Sequence, residues 1–136
     1  MKAIFKYSNP HPKEKLTTDC VVRAIALATK SDYLETRRHL NRIKKNFNET
    51  SYKKRTFIHK YAKYNNWKKI SFPAIKGVPR LRGRDFVKQY PTGTYILNLA
   101  KHIVAVVDGV YLDTWDSTDK MIYNAWQVES GECKDE

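Results

Sequence analysis

Cysteine is scarce in this chain. The 136 residues hold two, Cys20 and Cys133, too few and too far apart for a disulfide framework, so a reducing, cytoplasmic setting is expected with Cys20 a free thiol. No apolar run approaches a membrane span, and the first residues lack the apolar stretch and cleavage site of a secretory signal, so no membrane partner is expected. Glycine is also sparse, at five residues, with no Gly-rich phosphate loop. No set of Cys and His has zinc spacing, so no metal and no cofactor is expected. Acidic residues are few as well: 14 Asp and Glu against 26 Lys and Arg, a formal charge of +12.

What is present is unevenly spread. The net charge is +3 over residues 1–29, +14 over 30–90 and −5 over 91–136, so a basic first part precedes an acidic end. Such asymmetry suits nucleic acid or an acidic protein partner. Arg37, Arg38, Lys53, Lys54, Arg55, Lys68 and Lys69 are the candidate contacts. Tyr52, Tyr61, Tyr64 and Trp67 interleave with these cations, which leaves two readings: aromatics that stack bases between phosphate contacts, or a solvated face over a buried aromatic stripe.

The most informative stretch runs from Lys101 to Trp115, two alternating apolar runs joined by Asp108-Gly109. An Asp-Gly pair supplies the positive φ angles of a two-residue type I′ turn, so a β-hairpin is predicted. Counting outward from that turn sets Val107 opposite Val110, Val104 opposite Asp113 and His102 opposite Trp115. His102, Asp113 and Trp115 then share one face, with Asp113 on the diagonal of His102. Asp116 has the opposite parity and is the fallback orienter only if the register slips by one.

A His beside a carboxylate is the rear half of a nucleophilic triad, and the best candidate nucleophile is Cys20. Thr17, Thr18 or Asp19 can cap a helix, and the Val-, Ala- and Ile-rich run that follows reads as a buried helix with Cys20 in its first turn. Helix N–H groups and the positive end of the dipole favour a thiolate there. The competing reading makes Cys20 a small core residue, since free cysteine is among the most buried types. Trp115 is expected to pack beside the His–Asp pair and shield it from water. Cys20 Sγ is expected close to a His102 ring nitrogen, because only that meeting makes the Asp113 diagonal chemically useful.

These residues resemble the papain-like cysteine peptidase superfamily: a Cys opening a buried helix, a later His opening a strand, and on the next strand Asp113-Thr114-Trp115 where the family has Asn-Ser-Trp. The order Cys, His, Asp also matches, and the compact Asp19-Cys20-Val21-Val22-Arg23-Ala24-Ile25 opening looks like that of small phage-encoded members. The resemblance implies a cysteine hydrolase of peptidase, isopeptidase or amidase type acting on a protein or peptide substrate, in a host cytoplasm if phage-encoded. It implies Cys20 as nucleophile, His102 as base and Asp113 as orienter. The family's oxyanion hole joins the nucleophile's backbone N–H to an upstream Gln. The segment from Asn9 to Cys20 has no Gln, so Asn9 is the nearest carboxamide, with Lys13, Lys15, Thr17 or Thr18 as other donors. The alternative function is a catalytically silent module of the same fold that binds nucleic acid or an acidic host protein through its basic half.

The fold class expected is α+β, papain-like, with N-terminal helices packed on a C-terminal antiparallel sheet. An edge strand is predicted over 2–7, a buried helix with Cys20 in its first turn, further helices over about 31–46 and 51–65, and a short strand over 70–72. A helical turn at 84–89 and strands over 94–99 and 121–128 complete the layout. Residues 1–130 form one domain in this reading, and 131–136 a disordered acidic tail.

Overall fold

The computed structural model describes residues 3–16, 19–72 and 75–128. Six strands form one sheet: β1 (Phe5–Tyr7), β2 (Lys68–Ser71), β3 (Thr94–Leu99), β4 (His102–Val107), β5 (Val110–Asp113) and β6 (Ile122–Gln127), in the order β1-β5-β4-β3-β6-β2. The predicted hairpin is β4–β5. Asp108 and Gly109 have φ of 48° and 78°, the signs a type I′ turn requires, and Val107 faces Val110. Gly93 donates its N–H to Asp108 Oδ1 at 2.9 Å, which ties this turn to the start of β3.

Among the described residues four helices accompany the sheet: α1 (Cys20–Thr29), α2 (Tyr33–Ile43), α3 (Arg55–Tyr64) and α4 (Gly83–Gln89). The run over α1 is apolar nearly all round and free of Gly and Pro, so it buries most of its circumference, packing on β4 and β3. It ends where Lys30 turns left-handed and returns its N–H to Ala26 O. Asp32 caps α2 by accepting the Glu35 N–H at 3.0 Å, so α2 begins at Tyr33, later than the Ser31 expected from sequence. A 3-10 turn, Lys44–Phe47, follows it. α3 begins at Arg55 rather than Ser51, leaving residues 51–54 as a turn.

The sheet separates two cores. Ile96, Ile103, Ala105 and Trp126 face α1, α2 and α3, while Leu97, Val104, Val106 and Tyr111 face Phe86 and Val87 of α4. Period-two alternation with both faces covered explains why these strands read as almost continuous apolar runs. Ile25, Leu40, Phe57 and Ile96 are wholly shielded, and each contributes ~1.5–3 kcal/mol by leaving water. An exposed pair such as Arg84–Asp119 adds at most ~1 kcal/mol. Packing, then, holds the fold.

The protein is α+β as expected, but its sheet is mixed. β1 adds at the β5 edge in parallel, pairing Phe5 with Tyr111 and Tyr7 with Asp113. The sequence reading had an antiparallel sheet because a three-residue strand carries no signal of direction. No helix among the described residues is long and apolar enough to cross a membrane. The acidic tail and Cys133 lie outside the described residues.

Candidate active site

The site assembles where three elements end together. His102 opens β4 and Asp113 closes β5, both at the same end of the hairpin. Regular pairing between these strands stops at Ala105↔Leu112, so past it the two side chains meet directly: His102 Nε2 lies 2.5 Å from Asp113 Oδ2. Both share the strand parity of Val104 and Tyr111, as the alternation predicts. Cys20 is the first residue of α1, which packs on the opposite face, so the thiol reaches the imidazole across the end of the sheet. It lies close enough to the His102 ring and the Ile103 backbone for both to favour its ionised form. With Nε2 turned to Asp113, Nδ1 is the ring nitrogen left for the thiol.

Charge follows from this geometry. Burial pushes the Cys20 thiol up, but the His102 hydrogen bond, the Ile103 N–H and the charges of His102 and Arg23 outweigh it and hold the thiol below its ordinary value. For His102 burial acts downward, and the hydrogen bonds and charges of Asp113 and Cys20 raise it to about 9. A thiolate beside an imidazolium is the form that both displacements favour.

Asp113 is 3% exposed and uses both oxygens. Oδ2 serves His102, while Oδ1 accepts the Thr114 N–H at 2.7 Å and faces Arg23 Nη2 at 3.7 Å. Trp115 lies against His102 with ring centroids 4.8 Å apart, yet it is 44% exposed, so it covers one side of the ring and leaves its own outer face to solvent. Asp116 turns away: its Oδ1 accepts the N–H and hydroxyl of Thr118, which holds its carboxyl below the usual range.

A second buried carboxylate adjoins Cys20. Asp19 occupies the N-cap of α1, but its side chain caps nothing. It accepts the Tyr33 hydroxyl at 2.9 Å and the Tyr52 hydroxyl at 3.0 Å and pairs with Lys53 Nζ at 3.4 Å. Burial and the Asp19 hydrogen bond push the Tyr52 hydroxyl up to about 12, so it remains a donor at neutral pH. His11 packs on Tyr33 from outside, with ring centroids 5.0 Å apart.

The remaining predicted residues divide. Asn9 Oδ1 accepts the His11 N–H and its Nδ2 donates to Lys15 O, so these contacts stay within its own loop. Thr18 lies outside the described residues. Arg37, Arg38, Lys53, Lys54, Arg55, Lys68 and Lys69 are all exposed. Of the interleaved aromatics, however, Tyr52, Tyr61 and Trp67 are core residues, and Tyr64 alone of the four is open to solvent at 59%. The base-stacking arrangement is corrected accordingly: a solvated basic face covers a buried aromatic stripe. Among the described residues no group of three His, Cys, Asp or Glu could hold a metal ion.

No family model, curated protein or solved structure matches this chain. The site is therefore read from its own chemistry. Two participants escaped the sequence reading, Arg23 and the Asp19 cluster. Arg23 did leave a signal, as the single charge inside an apolar helix, three residues after Cys20 and so on the same face. A buried arginine calls for a buried anion. The partners of Asp19 left none, because Tyr33 and Tyr52 are distant in sequence and look like any other core tyrosines.

Proposed function

We propose that this protein is a papain-like cysteine hydrolase acting on a peptide, isopeptide or amide carbonyl. The observation that supports it is the hydrogen-bonded pair His102–Asp113 with Cys20 beside the imidazole, drawn from three separate stretches and carrying displacements that favour the thiolate. Cys20 Sγ attacks the carbonyl carbon. His102 then gives its proton to the leaving amine, which departs as the thioester forms. The neutral imidazole next takes a proton from water, the hydroxide displaces Sγ, and the acid product leaves with thiolate and imidazolium restored. Asp113 fixes the tautomer and steadies the imidazolium. The backbone N–H of Cys20, in the first turn of α1 where N–H groups lack intrahelical partners, is a donor for the developing oxyanion.

The test is alkylation. Iodoacetamide should label Cys20 rapidly and stoichiometrically at pH 6, and His102→Ala should abolish the advantage. Labelling no faster than that of free cysteine sinks the proposal. A screen of peptide and ubiquitin-like amides against wild type and Cys20→Ala then finds the substrate.

A second reading is a catalytically silent module whose basic face binds nucleic acid or an acidic protein. Its support is the exposure of all seven cations above, together with Arg55 and Lys69 converging on His59, whose ring is held below its ordinary value by burial and then by those charges. Salt-sensitive binding to DNA or an acidic peptide, unchanged in Cys20→Ala, favours it.

A further inference from the structure

Asp113 has two oxygens with different tasks, and the reason lies in α1. Oδ2 faces the imidazole that must gain and lose a proton, whereas Oδ1 is held by the Thr114 N–H and the Arg23 guanidinium. The side chains of Arg23 and Asp113 are 6% and 4% exposed, so both are shielded from water. At 3.7 Å the contact is an ion pair rather than a hydrogen bond, and an arginine cannot relieve it by losing its proton. We infer that Arg23 is a positioning residue of this site, a fixed buried cation that aims Asp113 at His102 throughout the proton cycle.

The need for such a cation follows from the chemistry proposed above, on which this inference rests. In the resting ion pair the Asp113 carboxylate faces an imidazolium. Once His102 has given its proton to a leaving group, the same buried carboxylate faces a neutral ring. A buried anion that loses its counter-charge is costly and tends to reorient or take up a proton. Arg23 keeps its charge through every step, so the carboxylate retains one permanent partner while the other alternates. Its place on the helix suits this. Arg23 stands one turn beyond Cys20, so a single rigid element carries the nucleophile and the cation that steadies the far end of the triad.

The decisive experiment is a double-mutant cycle on the full chain, read as the pH profile of Cys20 alkylation by iodoacetamide, with folding followed by circular dichroism. Arg23→Met is expected to move the acid limb toward that of a free cysteine, slowing labelling at pH 6 by about tenfold for each unit moved. In an Asp113→Asn background the same change is expected to slow labelling several-fold less, because the part of its effect that runs through Asp113 is gone and only the direct pull of the Arg23 charge on the thiolate remains. An equal shift in both backgrounds would mean that Arg23 acts on the thiolate by charge alone and would overturn the positioning role. Arg23→Lys keeps the charge without the planar fork. It covers the case in which Arg23→Met does not fold: slowing of about threefold or more at pH 6 supports positioning, and the wild-type rate overturns it. A wild-type Cys20 no more reactive than free cysteine overturns both this inference and the hydrolase reading. A reactive wild type indifferent to Arg23 overturns this inference alone.

Discussion

Two buried carboxylates lie near the thiol, and they are built for opposite purposes. Asp113 is surrounded by charge, with His102 on one oxygen and Arg23 and a backbone N–H on the other. Asp19 is held chiefly by neutral hydroxyls from Tyr33 and Tyr52, with Lys53 at the rim. A hydroxyl that titrates near 12 donates the same hydrogen bond at every pH the protein meets, whereas an imidazole near 9 exchanges its proton. One carboxylate therefore faces a donor that titrates, and the other anchors the start of α1 to α2 and the turn before α3. The same functional group becomes a working part or a fixture according to whether its donors titrate.

The sharpest way to break the contrast is to neutralise each carboxylate in turn. Asp113→Asn should cut turnover by roughly 10³–10⁴, the scale seen when a triad orienter is lost with the geometry kept, and should leave the protein folded. Asp19→Asn should spare most of the turnover but lower the unfolding free energy by about 1–3 kcal/mol, because buried hydroxyls lose a charged acceptor. Chemical denaturation and steady-state assay of both variants check the pair of outcomes.

The second test is pH. Below the depressed Cys20 value the thiolate is protonated, so the rate falls as acid is added. Above about 9 His102 has lost the proton it must hand over, so the rate falls again. A plateau bounded by these limbs is expected, and Asp19→Asn should displace neither limb, whereas Asp113→Asn should pull the alkaline limb down. Tyr33→Phe and Tyr52→Phe come next: each should cost about 1–2 kcal/mol of stability by removing one donor to Asp19, with little effect on the pH profile. The smallest effect belongs to Asp116→Ala. It should leave Cys20 alkylation at the wild-type rate, its cost confined to the two hydrogen bonds Thr118 loses; loss of reactivity there would mean that Asp116 orients His102.

The hairpin explains why part of the site was legible in the sequence. Within it, period-two alternation and an Asp-Gly turn relate His102 to Asp113 by local geometry, so counting residues suffices. The strand Thr94–Leu99 was legible from the Pro91-Thr92-Gly93 breaker that precedes it. Tertiary choices were not accessible in this way. A three-residue strand does not announce whether it will pair in parallel, as β1 does. Nor does a stretch of alternating Tyr and Lys reveal which side faces inward, and Tyr52, Tyr61 and Trp67 turned out to fill the core under the lysines. Arg23 was readable only as a question, a cation in an apolar helix, whose answer lay on a distant strand.

The Asp108-Gly109 turn also carries a consequence for the order of assembly. His102 and Asp113 stand 11 positions apart, a separation whose closure takes on the order of microseconds for a hairpin. Cys20 must find them across most of the chain, through contacts that form late because long loops close at a greater entropic cost. On a ribosome the delay is longer still, since the thiol emerges well before the strands that carry His102 and Asp113. Until those strands dock, Cys20 has only the helix terminus to favour its thiolate and lacks the His102 and Ile103 contacts that hold the thiol down in the folded protein.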